Sequence, residues 1–208
     1  MVLWPAAQAT AGALVEHSAA ADCQALFGRG RRFLELGAGT GLCSLAAASL
    51  GCVTLATDYR PEPLQLLEDV IEANSERLAL PLDISTQIFD ICGDESLPRA
   101  DVMAAADVLY FRETGRALAR RCVEALESGF QLILVGDCGR PGRGAFLEEL
   151  IAQGVRPESA RFNDVPGWSA GTARNDLIAP DDSVRGPREA TVGLLKLTPN
   201  DLPMSRGG

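Results

Sequence analysis

The chain has 208 residues, 47% of them hydrophobic, which suits one packed α/β domain and excludes a wholly disordered chain. Its formal net charge of −9 argues against nucleic acid and membrane surfaces as partners, because both attract a basic face. With no bilayer-length apolar run, secretory signal or basic amphipathic leader, we expect a cytoplasmic protein, with mitochondria as the open alternative.

Short apolar runs alternate with helical stretches, and this alternation predicts a mostly parallel sheet with helices on both faces. In chain order, the pattern predicts a helix over 6–25, a strand over 32–36, a helix over 40–50, a strand over 52–57, a helix over 61–74, strands over 84–89 and 101–106, a helix over 114–126, a strand over 131–135, a helix over 144–153 and a strand over 190–197. Gly51 follows the second helix where a C′ glycine belongs, and Pro61 opens the third.

The elements predict a single domain over residues 1–198 and a flexible tail over 199–208. Residues 163–187 are rich in Gly, Pro, Asp and Ser. A loop of this length in a compact domain is either functional or a mobile surface insertion, and the sequence leaves both interpretations open.

The cysteines predict no metal site. None belongs to a C-x-x-C pair, and His17 is the only histidine that could join them as a ligand. Several lie inside apolar runs, where a thiol behaves as a small hydrophobe. We therefore expect reduced, mostly buried thiols in a reducing compartment.

A glycine-rich segment over residues 35–41, ELGAGTG, lies where the first predicted strand passes into a helix. Glycines let a ligand approach the backbone, and the helix start offers unpaired N–H groups. Asp58 closes the next strand, about 20 residues on, where a carboxylate can accept both hydroxyls of a ribose. Together they favour a nucleotide-type site over an ordinary turn. Glu35 could bond a ligand's amino group or the loop, or only stabilise the loop.

Four segments carry a resemblance to a known family. ELGAGTG at 35–41 resembles the first motif of seven-β-strand S-adenosylmethionine methyltransferases. LWPAA at 3–7, ADVLY at 106–110 (a D-x-x-Y pattern) and VGDCGR at 135–140 (G-D-x-G-R) are similar to its lysine methyltransferase branch. That branch includes the methyltransferase-like 21 group and the electron-transfer-flavoprotein β-subunit lysine methyltransferases. The resemblance covers roughly residues 2–154 and weakens after 153.

The resemblance implies a Rossmann-like, seven-stranded, mostly parallel sheet with an antiparallel last strand, and S-adenosyl-L-methionine as the cofactor. It places the cofactor against nine residues: Trp4, Glu35, Gly37, Ala38, Gly39, Asp58, Asp90, Ile91 and Ala106. Within this set Asp58 would take the ribose hydroxyls, and Asp90 and Ile91 would lie beside the adenine. Asp107 and Tyr110 would face the incoming nucleophile.

The implied activity is N-methylation of lysine in a protein substrate. A carboxylate such as Asp107 raises the pKa of a nearby amine, so we assign Asp107 to orienting the amine or holding its loop, not to general base catalysis. Asp137 and Arg140 either shape the substrate mouth or form a turn anchored by a local salt bridge.

Three other functions stay open beside this one: a small-molecule N-methyltransferase, a non-catalytic interaction module, and an NAD-dependent oxidoreductase. The G-x-G-x-G spacing disfavours the last, since dinucleotide sites use G-x-G-x-x-G and the corresponding place holds Leu42. The methyl acceptor, the degree of methylation and the oligomeric state are left open.

Overall fold

The protein is seen here as a computed structural model that describes residues 4–78, 81–165 and 191–203. Within these residues the chain forms one seven-stranded sheet in the order β3-β2-β1-β4-β5-β7-β6. The strands are β1 (Arg32–Leu36), β2 (Val53–Asp58), β3 (Ile84–Ile88), β4 (Val102–Ala106), β5 (Leu132–Asp137), β6 (Asn163–Asp164) and β7 (Gly193–Leu197). Strands β1 to β5 are mutually parallel, and β7 runs antiparallel to both of its neighbours. The predicted fold class is confirmed.

Helices cover both faces of this sheet. They are α1 (Pro5–Ala19), α2 (Leu42–Ser49), α3 (Pro61–Leu78), α4 (Arg112–Glu127) and α5 (Arg143–Ala152). Successive strand residues point to opposite faces, so Phe33 packs with α1 and α2 while Leu34 packs with α4 and α5. In α3, Leu67 packs on Ala56, which shares the face of Phe33.

The first helix ends earlier than its composition predicts. Alanine favours helix at every position and gives no stop signal, so the predicted helix over 6–25 was too long. The chain leaves α1 at Ala20, which is extended, and a 3-10 helix follows at Gln24–Leu26. Between them Cys23 is buried, and the Lys196 ammonium lies 3.7 Å from its sulfur. Tertiary contacts therefore set this boundary.

Two features near the C-terminus differ from the sequence prediction. Strand β6 falls inside the stretch predicted as a loop, because two residues are too few to show any periodicity. The rest of that stretch, 166–187, lies outside the described residues. A 3-10 helix at Pro199–Asp201 begins with a capping box between Thr198 and Asp201. Asp201 also accepts the Ser159 hydroxyl at 2.6 Å. The packed domain thus continues past the predicted boundary at 198.

Close packing fixes α1 against the sheet at Gly136 of β5. A Cβ at this position would overlap the Thr10 hydroxyl, which bonds back to the Ala6 carbonyl at 2.7 Å. Glycine therefore lets the start of α1, and with it Trp4, lie beside the carboxyl end of β5. No helix in the described ranges is long and apolar enough to cross a membrane.

Candidate active site

The glycine loop after β1 lies at the point where the strand order reverses between β1 and β4. Gly37, Gly39 and Gly41 all have positive φ, at 67°, 51° and 69°. The Ala38 amide donates to the Thr57 carbonyl at 2.7 Å, so the loop continues the pairing with β2. On its other side, a Cβ on Gly37 would lie only 2.6 Å from Cγ1 of Val108, in the loop after β4. Ligands of open α/β sheets bind in this crevice.

Gly39 faces open space, since a Cβ there would meet nothing within 4 Å. Its amide donates to Oδ2 of Asp58 at 3.1 Å, and the Arg60 amide donates to Oδ1 at 3.1 Å. A carboxylate has about four acceptor sites, so each oxygen of Asp58 keeps one for a ligand hydroxyl. Asp58 is 7% exposed and is held in one orientation by these two amides. This arrangement fits an adenosyl group, because a ligand can approach the backbone at Gly39 while the Asp58 carboxylate is held in place to accept ribose hydroxyls.

Glu35 lies beneath this loop and is 2% exposed. Its carboxylate accepts the Ser44 amide at 2.9 Å and the Ser44 hydroxyl at 2.5 Å, in the first turn of α2. Burial raises the pKa of Glu35, and the two bonds from Ser44 oppose that rise. These contacts support one of the roles predicted from the sequence, which is that Glu35 stabilises the glycine loop. A direct contact of Glu35 with cofactor stays a prediction.

The loop after β3 contains two predicted adenine-side residues. Asp90 is exposed and shapes the turn by accepting the Cys92 amide at 2.8 Å. Ile91 is mostly buried in the core between the sheet and α4. Arg121 of α4 donates to the Ile91 carbonyl at 3.1 Å and also to the Gly93 carbonyl.

Arg121 is a residue of this region that the sequence pattern does not predict. Its guanidinium also pairs with Glu124 at 2.7 Å and lies 5.2 Å from the centre of the Phe89 ring. Glu124 in turn accepts the Leu97 amide at 2.8 Å. An arginine at helical spacing ahead of a glutamate is an ordinary surface pattern, so nothing in the sequence distinguishes this pair as the anchor of the β3–β4 loop.

Arg121→Gln is expected to destabilise the domain by about 2–3 kcal/mol, because it removes a buried charge that pairs with Glu124 and donates hydrogen bonds to two carbonyls. For a chain of this size that corresponds to a fall in melting temperature of roughly 4–12 °C, measured by circular dichroism. Arg120→Gln is the control, since Arg120 pairs with Glu149 at an exposed position. Equal melting temperatures for the two variants would contradict the anchoring role.

The loop after β4 carries the predicted catalytic residues. Asp107 is 1% exposed, has a positive φ of 58° and donates its amide to the Gly136 carbonyl at 2.8 Å. Its carboxylate accepts two bonds from the Arg140 guanidinium, at 2.9 and 2.5 Å. The guanidinium carbon lies 4.9 Å from the centre of the Trp4 ring and 4.8 Å from that of Tyr110. The structure thus brings the three predicted residues together around an arginine.

Tyr110 is 41% exposed at this edge of the site. Burial raises the pKa of Tyr110, the neighbouring Asp107 raises it further, and Asp58 contributes in the same direction. Tyr110 is therefore a neutral phenol at pH 7, able to donate or accept a hydrogen bond.

Asp137 and Arg140 do not pair through their side chains, which corrects the suggestion of a local salt bridge between them. Asp137 is fully buried and its ion-pair partner is Arg143, at 2.6 Å. It also accepts the amides of Gly139 and Arg140 at 2.8 and 3.1 Å, which shapes the turn after β5. That turn delivers the Arg140 side chain to Asp107. Ala106, at the end of β4, packs against the core formed with α1 and α2.

The described residues offer no metal site, and a separate cavity lies away from the glycine loop. No group of three or more His, Cys, Asp or Glu residues within the described ranges is placed to hold a metal ion. A cavity of about 80 Å³ lies at the opposite, amino-terminal end of the sheet, lined by residues that include Arg32, Val53, Ser85 and Arg99. Its position separates it from the glycine loop.

Residues 1–149 match the protein family described as lysine methyltransferase. The chain belongs to this family. The lysine methyltransferase match includes the glycine loop, the D-x-x-Y segment and Arg140, which meet in the geometry above.

Two curated relatives of this chain are named as protein-lysine methyltransferases. The chain is 33% identical over 112 residues to the protein N-lysine methyltransferase METTL21A of Danio rerio, covering 51% of this chain and 49% of that protein. It is 38% identical over 85 residues to the protein-lysine methyltransferase METTL21E of Bos taurus, covering 38% and 29%. The chain spans about half the length, or less, of these relatives.

A solved structure shares the fold of this chain. The magnesium protoporphyrin IX methyltransferase of Synechocystis, with S-adenosylmethionine bound, has a TM-score of 0.62 at 14% identity. The likeness covers 92% of this chain and 78% of that one. At this identity it supports the Rossmann-like architecture alone.

Proposed function

We propose that this lysine methyltransferase moves a methyl group from S-adenosylmethionine to a lysine side chain of a protein substrate. One observation carries the proposal: the glycine loop, which bonds Asp58 through Gly39, is in close contact through Gly37 with Val108 of the loop that carries Asp107 and Tyr110. The family match and the two relatives support the choice of acceptor.

The cofactor would lie across the carboxyl ends of β1, β2 and β4. Gly37, Ala38 and Gly39 would approach its methionine and ribose portions, and Asp58 would accept the ribose hydroxyls. Trp4, Glu35, Asp90, Ile91 and Ala106 remain predicted contacts or supports of the same site. When bound, S-adenosylmethionine supplies an activated methyl group, so the protein's main task is to align the acceptor.

A lysine acceptor must lose a proton before it can attack. From a reference pKa near 10.4, removing that proton at pH 7 requires roughly 4–5 kcal/mol. An apolar channel lowers this requirement, because desolvation disfavours the ammonium form. Trp4 and Tyr110 provide aromatic walls for such a channel, and the neutral phenol of Tyr110 can accept a bond from the amine. Asp107 orients the group or its own loop.

The proposed partner is a protein with an accessible lysine, and the chain's net charge of −9 favours a basic surface on that partner. We keep the cytoplasm as the proposed location, with mitochondria as the alternative. Nucleic acid and membrane are not proposed as partners.

Methyl transfer into protein is expected to fall by at least about 100-fold in Asp107→Asn and Tyr110→Phe, while affinity for S-adenosylhomocysteine stays within about threefold. Asp107 and Tyr110 belong to the loop beside the proposed acceptor channel, so changing them is expected to affect the transfer step and not the adenosyl site. Tyr59→Phe is the matched control, since Tyr59 is an exposed tyrosine of the neighbouring loop.

The measurement is incorporation of labelled methyl from the cofactor into a cell lysate, followed by identification of the labelled species. Label in small molecules with none in protein would select the small-molecule alternative. A protein that binds neither S-adenosylmethionine nor S-adenosylhomocysteine in calorimetry would be an interaction module.

A further inference from the structure

Arg140 occupies the centre of the candidate acceptor site. Its guanidinium bonds both carboxylate oxygens of Asp107 and lies within 5 Å of the ring centres of Trp4 and Tyr110. Asp107 is almost fully buried, whereas the Arg140 side chain is 26% exposed. The arginine is therefore the charged group of the pair that faces the crevice.

The position of this ion pair is fixed by backbone contacts on both sides. The Asp107 amide bonds β5 at Gly136, and the next residue, Val108, is in close contact with Gly37 of the glycine loop. The Arg140 amide bonds Asp137 at 3.1 Å. Neither partner can move far without disturbing a loop of the crevice, so the pair lies at a defined place near the adenosyl site.

An unpaired carboxylate at this place would oppose the proposed reaction. It would stabilise the ammonium form of an incoming lysine and would bind a cationic sulfonium more tightly than the neutral product thioether. A guanidinium with two parallel bonds to the carboxylate cancels that charge in a fixed geometry. Among the described residues, the other titratable or charged groups around Tyr110 and Arg140 are Asp58, Tyr59, Cys138 and the Asp137–Arg143 ion pair.

We propose that Arg140 is a positioning residue that cancels the charge of Asp107 beside the transferred methyl group and so favours a neutral amine and release of the product cofactor. The proposal rests on the proposed function. It assigns Arg140 an electrostatic role in addition to its packing against Trp4 and Tyr110.

The test compares two ligands that differ in charge at the sulfur. Calorimetry at pH 7 gives the affinity of each variant for S-adenosylmethionine and for S-adenosylhomocysteine, and the ratio of the two reports the local charge without any turnover. Arg140→Gln is expected to shift this ratio about tenfold toward S-adenosylmethionine, and Asp107→Asn to shift it toward S-adenosylhomocysteine. The double variant, which lacks both charges, is expected to return close to the native ratio.

Arg143→Gln is the matched control. Arg143 also pairs with a buried aspartate, Asp137, and lies 4.5 Å from the centre of an aromatic ring, Phe162. It begins α5 and pairs with Asp137 and not with Asp107, so its loss is expected to lower stability while the Arg140–Asp107 pair keeps the ratio close to native. Arg140→Lys keeps the charge and is expected to keep most of the native ratio.

A second readout is the pH dependence of methyl transfer, which is expected to move about one pH unit upward in Arg140→Gln and to return in the double variant. Native-like ratios and pH profiles in all variants, with only lower melting temperatures, would overturn the electrostatic role and leave the proposed function standing. A native protein that binds neither ligand would overturn both.

Discussion

Replacing Asp58 with alanine is expected to reduce affinity for S-adenosylhomocysteine by about two to four orders of magnitude. Two hydroxyl bonds to a carboxylate contribute about 1.5–3 kcal/mol each, and every 1.4 kcal/mol corresponds to a factor of ten. The change also frees the Gly39 amide, which now bonds Asp58 at 3.1 Å, and loosens the loop. Titration calorimetry with S-adenosylhomocysteine measures the loss.

Asp58→Asn separates the two contributions. The amide keeps the size of the side chain and one acceptor oxygen, so it is expected to lose less affinity than alanine. Asp83→Ala serves as the control. Asp83 is an exposed acid immediately before β3, the strand beside β2, and it lies at the end of the sheet opposite to Asp58. Affinity within tenfold of native in Asp58→Ala would place the adenosyl site elsewhere.

Alanine at Gly37 is expected to lower mainly the stability of the protein, whereas alanine at Gly39 is expected to lower mainly its affinity for the ligand. Both glycines have positive φ, which costs a residue with a Cβ about 1–2 kcal/mol. At Gly37 the new Cβ would also press on Val108, and overpacking adds about 1–3 kcal/mol, so stability falls most there. At Gly39 the Cβ enters open space, so stability falls by the backbone cost alone, while ligand affinity drops by about tenfold or more because the backbone can no longer be approached.

Urea unfolding and calorimetry on the same samples distinguish these effects. Gly37→Ala combined with Val108→Ala removes the overlap and is expected to recover part of the lost stability. Gly144→Ala is the control: Gly144 lies in α5 with nothing near its Cβ position, so alanine there stabilises by about 0.5–1 kcal/mol. Native affinity in Gly39→Ala would mean that the ligand does not approach the loop at that residue.

The strands and the glycine loop could be predicted because their signals are local. A buried strand is a short apolar run, and the loop that follows β1 needs positive φ at fixed places, which glycine supplies. The strand over 32–36 was predicted without error, as β1 occupies those residues. Asp58 was predictable as the acid that closes the next strand, and the structure bonds it to Gly39.

The ion pairs of the site could not be predicted, because they depend on contacts between distant segments. Asp107 and Arg140 are 33 residues apart, and only the sheet order brings the ends of β4 and β5 together. For Asp137 two arginines lay within six residues, and the backbone of the turn, which sequence does not reveal, directs Arg143 to it. Arg121 was missed for the same reason, since its partners are carbonyls of a loop before α4.

Lys196 is the only lysine in the 208-residue sequence. Its amine lies 3.7 Å from the sulfur of Cys23 and 3.8 Å from the carboxylate of Asp22. Self-methylation of this protein on lysine can therefore occur at one position alone. Lys196→Arg removes that background in a single step, since arginine retains a cation next to Asp22. Weak labelling of a true substrate of similar size then becomes visible without peptide mapping.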